Sequence, residues 1–383
     1  MKWMKRLFKE SIPDPRALVV WLFLFGLVLG FGLPAKSFGN SETYVSASIG
    51  DDSYDGSSPT KGTFPAGPKK TIQAGIDVTD ADGTCYVAAG NYNESIYIDK
   101  GVDLVGEELG QSMIDATGIG DITTDAVTFD GNATVNASIS KFTITRAKRN
   151  GVRCRNGAEP EITNNTITEN NSSGIVCYSS SPTITNNTIT GNLEGNGIYC
   201  WKSSPDITNN TITGNDYPGI YCENSSPDIT NNIIVSNNTS GIYADGPSSP
   251  VISHNDVWDN SPDYDGCSAG PDDISDDPLF VDSSNSDFHL QNGSPCIDKG
   301  TNTPPGDLPS TDKDGKVRIS PPAGKIDIGA YEYQKTGPIS EKDIVSTILI
   351  RSGLMSKSIP PLNFTVKIPK RPGLIFTILA MNW

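Results

Sequence analysis

Between residues 137 and 262 short runs of Ile, Val and Thr alternate with period two, and Asn, Gly, Ser or Pro closes each run. The segments PEITNNTITENNSSGIVCYSSS, PTITNNTITGNLEGNGIYCWKSS, PDITNNTITGNDYPGIYCENSS, PDITNNIIVSNNTSGIYADGPSS and PVISHNDVWDN are five copies of one unit. Pro160, Pro182, Pro205, Pro227 and Pro250 set its period at 22, 23, 22 and 23 residues. Alternation predicts strands, and three brief strands per repeat predict the coils of a stacked β-solenoid.

Alignment of the copies assigns the faces. Ile162, Ile184, Ile207, Ile229 and Ile252 form one apolar column, Ile167, Ile189, Ile212, Ile234 and Val257 a second, and Val152, Ile175, Ile198, Ile220 and Ile242 a third. Three columns mean three sheets around one core. Between the first two, each copy places one asparagine: Asn165, Asn187, Asn210, Asn232 and Asn255. At a strand spacing of about 4.8 Å each amide reaches the next, so the turn is satisfied inside the protein.

The chain ahead of the repeats fits the same scheme. Residues 84–107 and 112–136 read as earlier, less regular coils, while KKTIQAGIDVTDADG sets Ile72 and Ile76 at helical spacing and predicts a short helix covering the open first coil. With YVSASIGDD and KKTIQAGI before them, the three-strand coils and the asparagine ladder resemble the right-handed parallel β-helix superfamily of pectate lyases and NosD-type repeat proteins. The resemblance implies an all-β, right-handed, single-stranded parallel β-helix. That hand agrees with the rule for parallel crossovers. Motifs such as DDPLFVDSSNSDFHLQNGSPCIDKG, DKDGKVR and DIGAYEY resemble the end region of choice-of-anchor Q surface proteins, and are expected to close the far end of the solenoid. The expected organisation is a leader (1–37), an N-terminal strand and capping helix (38–83), the coils (84–262), a C-terminal cap (263–334) and a tail (335–383).

The net charge of −16 is unevenly spread, with basic ends and a strongly acidic body. This disfavours nucleic acid as a partner and is compatible with bound cations. Lys2, Lys5, Arg6, Lys9 and Arg16 precede the apolar run 17–33, with small residues at Ala35 and Ser37, as in a secretory signal peptide cleaved near Ser37. The run is long for a signal and short for a span, so an uncleaved membrane tether is the other expectation. A secreted, cell-surface or periplasmic monomer follows. The basic tail has no apolar piece long enough to span a bilayer.

Candidate chemistry concentrates on one outward face. Arg153, Val176, Tyr199, Tyr221 and Tyr243 occupy one column there, and Arg155, Tyr178, Trp201, Glu223 and Asp245 the column beside it. Aromatic rings flanked by carboxylates and arginines suit sugars and uronates; stacking that merely stabilises the sheet is the alternative. For catalysis the candidates are Glu223 and Asp245 as paired carboxylates, with Arg153, Arg155 or Lys202 as the base of a lyase. Calcium is a possible cofactor at Asp51, Ser53 and Asp55, which place oxygens on alternate residues before Gly56, or at the stacked Asp206 and Asp228.

Cys154, Cys177, Cys200 and Cys222 form an inward column, read as buried small apolar residues, while Cys267 and Cys296 could pair near the cap. His254 and His289, in a coil turn and in the C-terminal region, make no triad. The turns flanking the aromatic strand are short, so no cleft is expected above it. The leading expectation is a polysaccharide-binding surface protein whose aromatic residues contribute little to stability. The alternatives are a calcium-dependent lyase or hydrolase of acidic glycans, and a structural or adhesive rod.

Overall fold

The computed structural model describes residues 40–107, 111–121, 123–131, 136–306, 308–318 and 324–334, with two further strands, Phe364–Lys367 and Ile375–Ile378, paired antiparallel. The leader expected at 1–37 and the rest of the tail lie outside the described residues. No helix among the described residues is long and apolar enough to cross a membrane.

Strand β1 (Asn40–Val45) opens the fold, helix α1 (Ile72–Val78) follows, and the chain then winds through β2 (Thr79–Val87), β3 (Gly90–Tyr92) and β4 (Ile96–Ile98) as the first coil. Helix α1 covers that coil as expected. Thr71 caps it by accepting from the Ala74 amide at 3.3 Å, and the Glu94 carboxylate takes the Ile72 and Gln73 amides at 2.8 and 3.0 Å. Ile72 and Ile76 are buried, and a Cβ at Gly75 would fall 2.3 Å from Val45 Cγ2, so the helix lies this close only with glycine there.

Every later coil repeats the three-strand path. The strands collect into parallel sheets of nine, eight and eight. The first sheet runs from β1 to Val251–Ser253, the second from β3 to Asp256–Trp258 and the third from β4 to Tyr264–Asp265. Neighbouring coils pair without slip, Ile162 opposite Ile184, Ile167 opposite Ile189 and Ile175 opposite Ile198. All three apolar columns are buried in one continuous core, and each isoleucine removed from water contributes roughly 1.5–3 kcal/mol.

Each turn has its own polar ladder. At the first turn Asn187 donates through Nδ2 to Asn210 Oδ1 at 3.1 Å, Asn210 to Asn232 at 3.0 Å and Asn232 to Asn255 at 3.1 Å. Each acceptor also takes the backbone amide of the previous asparagine, and the Asp273 carboxylate ends the row by accepting from Asn255. A second amide ladder, absent from the sequence reading, joins Asn170, Asn192, Asn215, Asn237 and Asn260 at the second turn and ends on Asp263. At the third turn the hydroxyls of Ser203, Ser225 and Ser248 each accept the backbone amide of the serine one coil earlier.

The C-terminal region corrects the expectation of a plain end cap. Only its first part sits at the last coil, where Tyr264 and Cys267 pack on the core and Ile274 bridges to Asp256. Beyond residue 277 the chain turns back along the side of the solenoid. Thr301 bonds Asn231, Ala330 bonds Thr211, Arg318 bonds Asn186 and Lys313 bonds Thr166, each partner one coil further back. A second apolar cluster of Ile233, Val235, Leu290, Cys296 and Ile328 forms beneath it. The cause lies in the repeat itself: the fourth copy reads NIIV where the first three read NTIT, so Ile233 and Val235 point outward and need cover. Under the return Arg318, 2 % exposed, pairs with Glu332 and donates to Asn186 Oδ1 at 2.8 Å.

Two tests follow. Asn210→Ala strands the Asn187 amides and the carbonyls of Ile184 and Thr208; at about 1–3 kcal/mol per orphaned group it is expected to cost more than about 3 kcal/mol in urea unfolding, while Thr183→Ala on an outward position stays within about 0.5 kcal/mol. Lys313 is buried with its ammonium on Thr166 Oγ1, and desolvation pushes it from 10.5 down to about 7. Between those values the folded state holds fewer protons than the unfolded one, so this group's contribution to stability rises with pH from about 7 to 10.5 and is lost as pH falls through 7. The difference in unfolding free energy between Lys313→Met and the parent protein is expected to shrink across that window.

Candidate functional site

The third sheet presents the aromatic face, built by the same register that aligns the core. Tyr199 lies opposite Tyr221 and Tyr221 opposite Tyr243, and in the neighbouring column Tyr178 lies opposite Trp201. The rings stack: Tyr178 on Trp201 with centroids 4.0 Å apart, Tyr199 on Tyr221 at 5.1 Å and Tyr221 on Tyr243 at 4.8 Å. Rings piled along the axis spend most of their faces on one another. Edges and hydroxyls are left toward solvent, together with the outer faces at the ends of each pile.

The charged candidates are tied to partners. Tyr199 donates to Glu223, and Tyr221 donates to Asp245 at 3.3 Å. Burial, then the bond to Glu223, holds the Tyr199 phenol well above its ordinary value, and burial with the Glu223 and Asp245 charges pushes Tyr221 up to about 12. Arg155 pairs with Asp130 at 2.7 Å, and Arg153 faces Asp125 at 3.6 Å with its guanidinium over the Tyr178 ring. The Asp130 bond raises Arg155 further above its ordinary value, so neither position supplies a free base. Lys202 lies over the Trp201 ring at 4.2 Å.

Contrary to the expectation of an open sheet, a groove of about 710 Å³ runs along this face. Its floor is Arg153, Val176, Tyr199, Tyr221 and Tyr243, and its wall is the second turn of successive coils, including Asn196, Tyr217 and Thr239. Each turn is short, but turns stacked coil on coil make a continuous rim. From the strand of Arg153 to that of Asp265 the groove crosses six strands, about 24 Å at sheet spacing. Tyr178 also lines it, whereas Trp201, Arg155, Glu223 and Asp245 flank it. Arg153 Nε and Thr239 Oγ1 are buried in its lining without a hydrogen-bond partner. Tyr217, 49 % exposed, went unread in the sequence because turn residues vary from copy to copy; its fixed offset before the third strand was the available signal.

Other candidates lie elsewhere. Asp206 and Asp228 are in register on the outer side of the first sheet, with Gly306 of the return segment against Asp206; burial and then Asp228 raise Asp206 above the usual carboxylate range. Asp51 accepts the Ser53 amide, and Asp55 accepts the Ser57 amide and hydroxyl, so these turns close on themselves. Among the described residues no three His, Cys, Asp or Glu side chains converge as metal ligands do. All seven cysteines are free. Cys154, Cys177, Cys200 and Cys222 point into the core, Cys296 donates to Asp256 at 3.1 Å beneath the return segment, and Cys267 sits at the last coil, so the expected bridge is not formed. His254 faces Asp272, and His289 is held between Asp287 and Asp314 in the return segment.

Three in-register parallel sheets wound one strand per coil, with amide ladders inside the turns, define a right-handed parallel β-helix. Residues 125–292 match the family model described as Right handed beta helix region. The match ends within the return segment and leaves out the later motifs that resemble choice-of-anchor Q proteins. Among solved structures the chain is similar to pectate lyase Pel9A, at 15 % identity and a TM-score of 0.49, over 76 % of this chain and 96 % of that one. It is also similar to the A-modules of two Azotobacter vinelandii mannuronan C-5 epimerases. For AlgE4 the identity is 17 %, the TM-score 0.22 and the coverage 54 % and 92 %; for AlgE6 the values are 18 %, 0.24, 49 % and 71 %. No curated protein matches the chain.

The stacked rings revise the expectation that the aromatic stripe contributes little to stability. Tyr221→Ala breaks two ring contacts, each worth about 0.5–1.5 kcal/mol, and is expected to lower unfolding free energy by about 1–3 kcal/mol with the far-ultraviolet spectrum of the fold retained.

Proposed function

We propose that the groove on the third sheet holds a linear polysaccharide lying along the solenoid axis, and that the protein is an exported, monomeric glycan-binding β-helix. The observation that carries this reading is the groove's composition and length: a tyrosine floor, a polar wall of asparagine, serine and threonine, and an extent of several sugar rings. Tyrosine edges and hydroxyls, with the polar side chains of the wall, offer hydrogen bonds to sugar hydroxyls in a line parallel to the chain.

Binding without cleavage is favoured over a lyase or hydrolase. Of the three candidate bases, Arg153 and Arg155 face Asp125 and Asp130 and Lys202 lies over the Trp201 ring, while Glu223 and Asp245 accept tyrosine hydroxyls from beside the groove. No calcium step enters this reading. A purely structural rod would need no lined groove.

The mature chain from residue 38 onward, mixed with a panel of neutral and charged polysaccharides with and without calcium, is expected to retain at least one glycan and to release no new chain ends. Tyr217→Ala removes a rim ring with no stacking partner among the described residues. It is expected to weaken retention about 5–10-fold with the melting temperature unchanged. Calcium-dependent release of ends would overturn the binding reading, and no retention of any glycan would return the face to a structural role.

A further inference from the structure

The tyrosine pile ends abruptly, and its end differs chemically from its middle. Tyr243 has one ring face on Tyr221, at 4.8 Å and 13° between planes. The next residue in register beyond it is Asp265 instead of another ring, and both line the groove. Asp245 stands two residues along the same strand as Tyr243, on the same outward side. Both carboxylates are exposed; Asp245 accepts the Tyr221 hydroxyl at 3.3 Å, and neither carboxylate forms an ion pair with a Lys, Arg or His among the described residues. An aromatic face not covered by another ring and bordered by two carboxylates without a counter-cation favours a cation, since ring quadrupole and carboxylates attract the same charge. Arg149 and Arg153 lie at the opposite end of the groove, so this preference belongs to one end only.

We propose that the outer face of Tyr243, between Asp245 and Asp265, is a subsite for a protonated amine, so that the glycan taken by the groove carries an unacetylated amino sugar there. The inference rests on the glycan reading above and adds its substrate class. An N-acetylated residue at the subsite has no charge to place between the carboxylates, and a uronate is repelled by them.

The test compares glucosamine oligomers, N-acetylglucosamine oligomers and uronate oligomers of equal length, titrated calorimetrically against the full mature chain at mildly acidic pH and low salt. The glucosamine oligomer is expected to bind about tenfold tighter than its acetylated counterpart, with the advantage shrinking as salt rises. Asp265→Asn and Tyr243→Leu are expected to abolish most of that ratio, and Tyr243→Phe, which keeps the ring face, to preserve it. Equal binding of acetylated and unacetylated oligomers overturns the amine subsite and leaves the glycan reading standing. No binding of any of the three oligomers overturns the amine subsite, and the glycan reading falls with it only when the polysaccharide panel is not retained either. An advantage for the amine that survives Asp265→Asn and Tyr243→Leu assigns it to the general acidity of the surface and overturns the subsite.

Discussion

The coil-to-coil hydrogen bond between buried asparagine side chains is the interaction on which the rest of this molecule depends. A solenoid turn points backbone amides and carbonyls into a region without water, and leaving them unpaired costs more than the packing around them returns. Asn210 shows the solution: its Nδ2 takes the carbonyls of Ile184 and Thr208, and its Oδ1 receives both donors of Asn187. One side chain thus serves several orphaned groups. It can do so only when the next coil is in register, and the ladders therefore enforce the alignment that the isoleucine columns exploit. Each amide row ends on a carboxylate, Asp273 or Asp263, because the final asparagine still has two donors to satisfy and no further coil to accept them.

Strict register has consequences outside the core. What stacks inward as isoleucine stacks outward as tyrosine, so the aromatic face is a product of the same constraint, and its rings are held against one another at the coil spacing. A stripe made this way stabilises the sheet and shapes a surface at once. The stacked second turns add the rim, and that rim turns a flat ribbon of rings into a groove. Chemistry along the groove is set less by any single residue than by where the repeat changes: arginines in the earlier coils, tyrosines in the middle and the Asp265 carboxylate at the last.

The return segment answers a different problem. The fourth copy exposes Ile233 and Val235 on the second sheet, and residues beyond 277 supply Leu290, Cys296 and Ile328 to cover them. Burying that much chain also buries its charges. Arg318 meets Glu332, while the Lys313 ammonium, bonded to the Thr166 hydroxyl, is driven toward its neutral form by burial. These buried charges lie on one side of the solenoid, away from the tyrosine groove.

Sequence by itself determined the class of fold, the three apolar columns, the first asparagine ladder, the capping helix and the inward cysteines. All of these follow from periodicity, because residues one repeat apart become neighbours by construction. The second amide ladder was equally periodic and equally legible in the spacing of Asn170, Asn192, Asn215, Asn237 and Asn260. Tertiary structure alone decided the remainder. That the arginines face Asp125 and Asp130 depends on irregular coils that no repeat alignment reaches. That short turns build a rim depends on their stacking and not on their length, and that residues beyond 277 run backward depends on contacts between positions more than a hundred residues apart, such as Asn186 with Arg318. Period encodes neighbours only within the repeat; where the chain leaves it, apolar cover and charge pairing in three dimensions choose the partners.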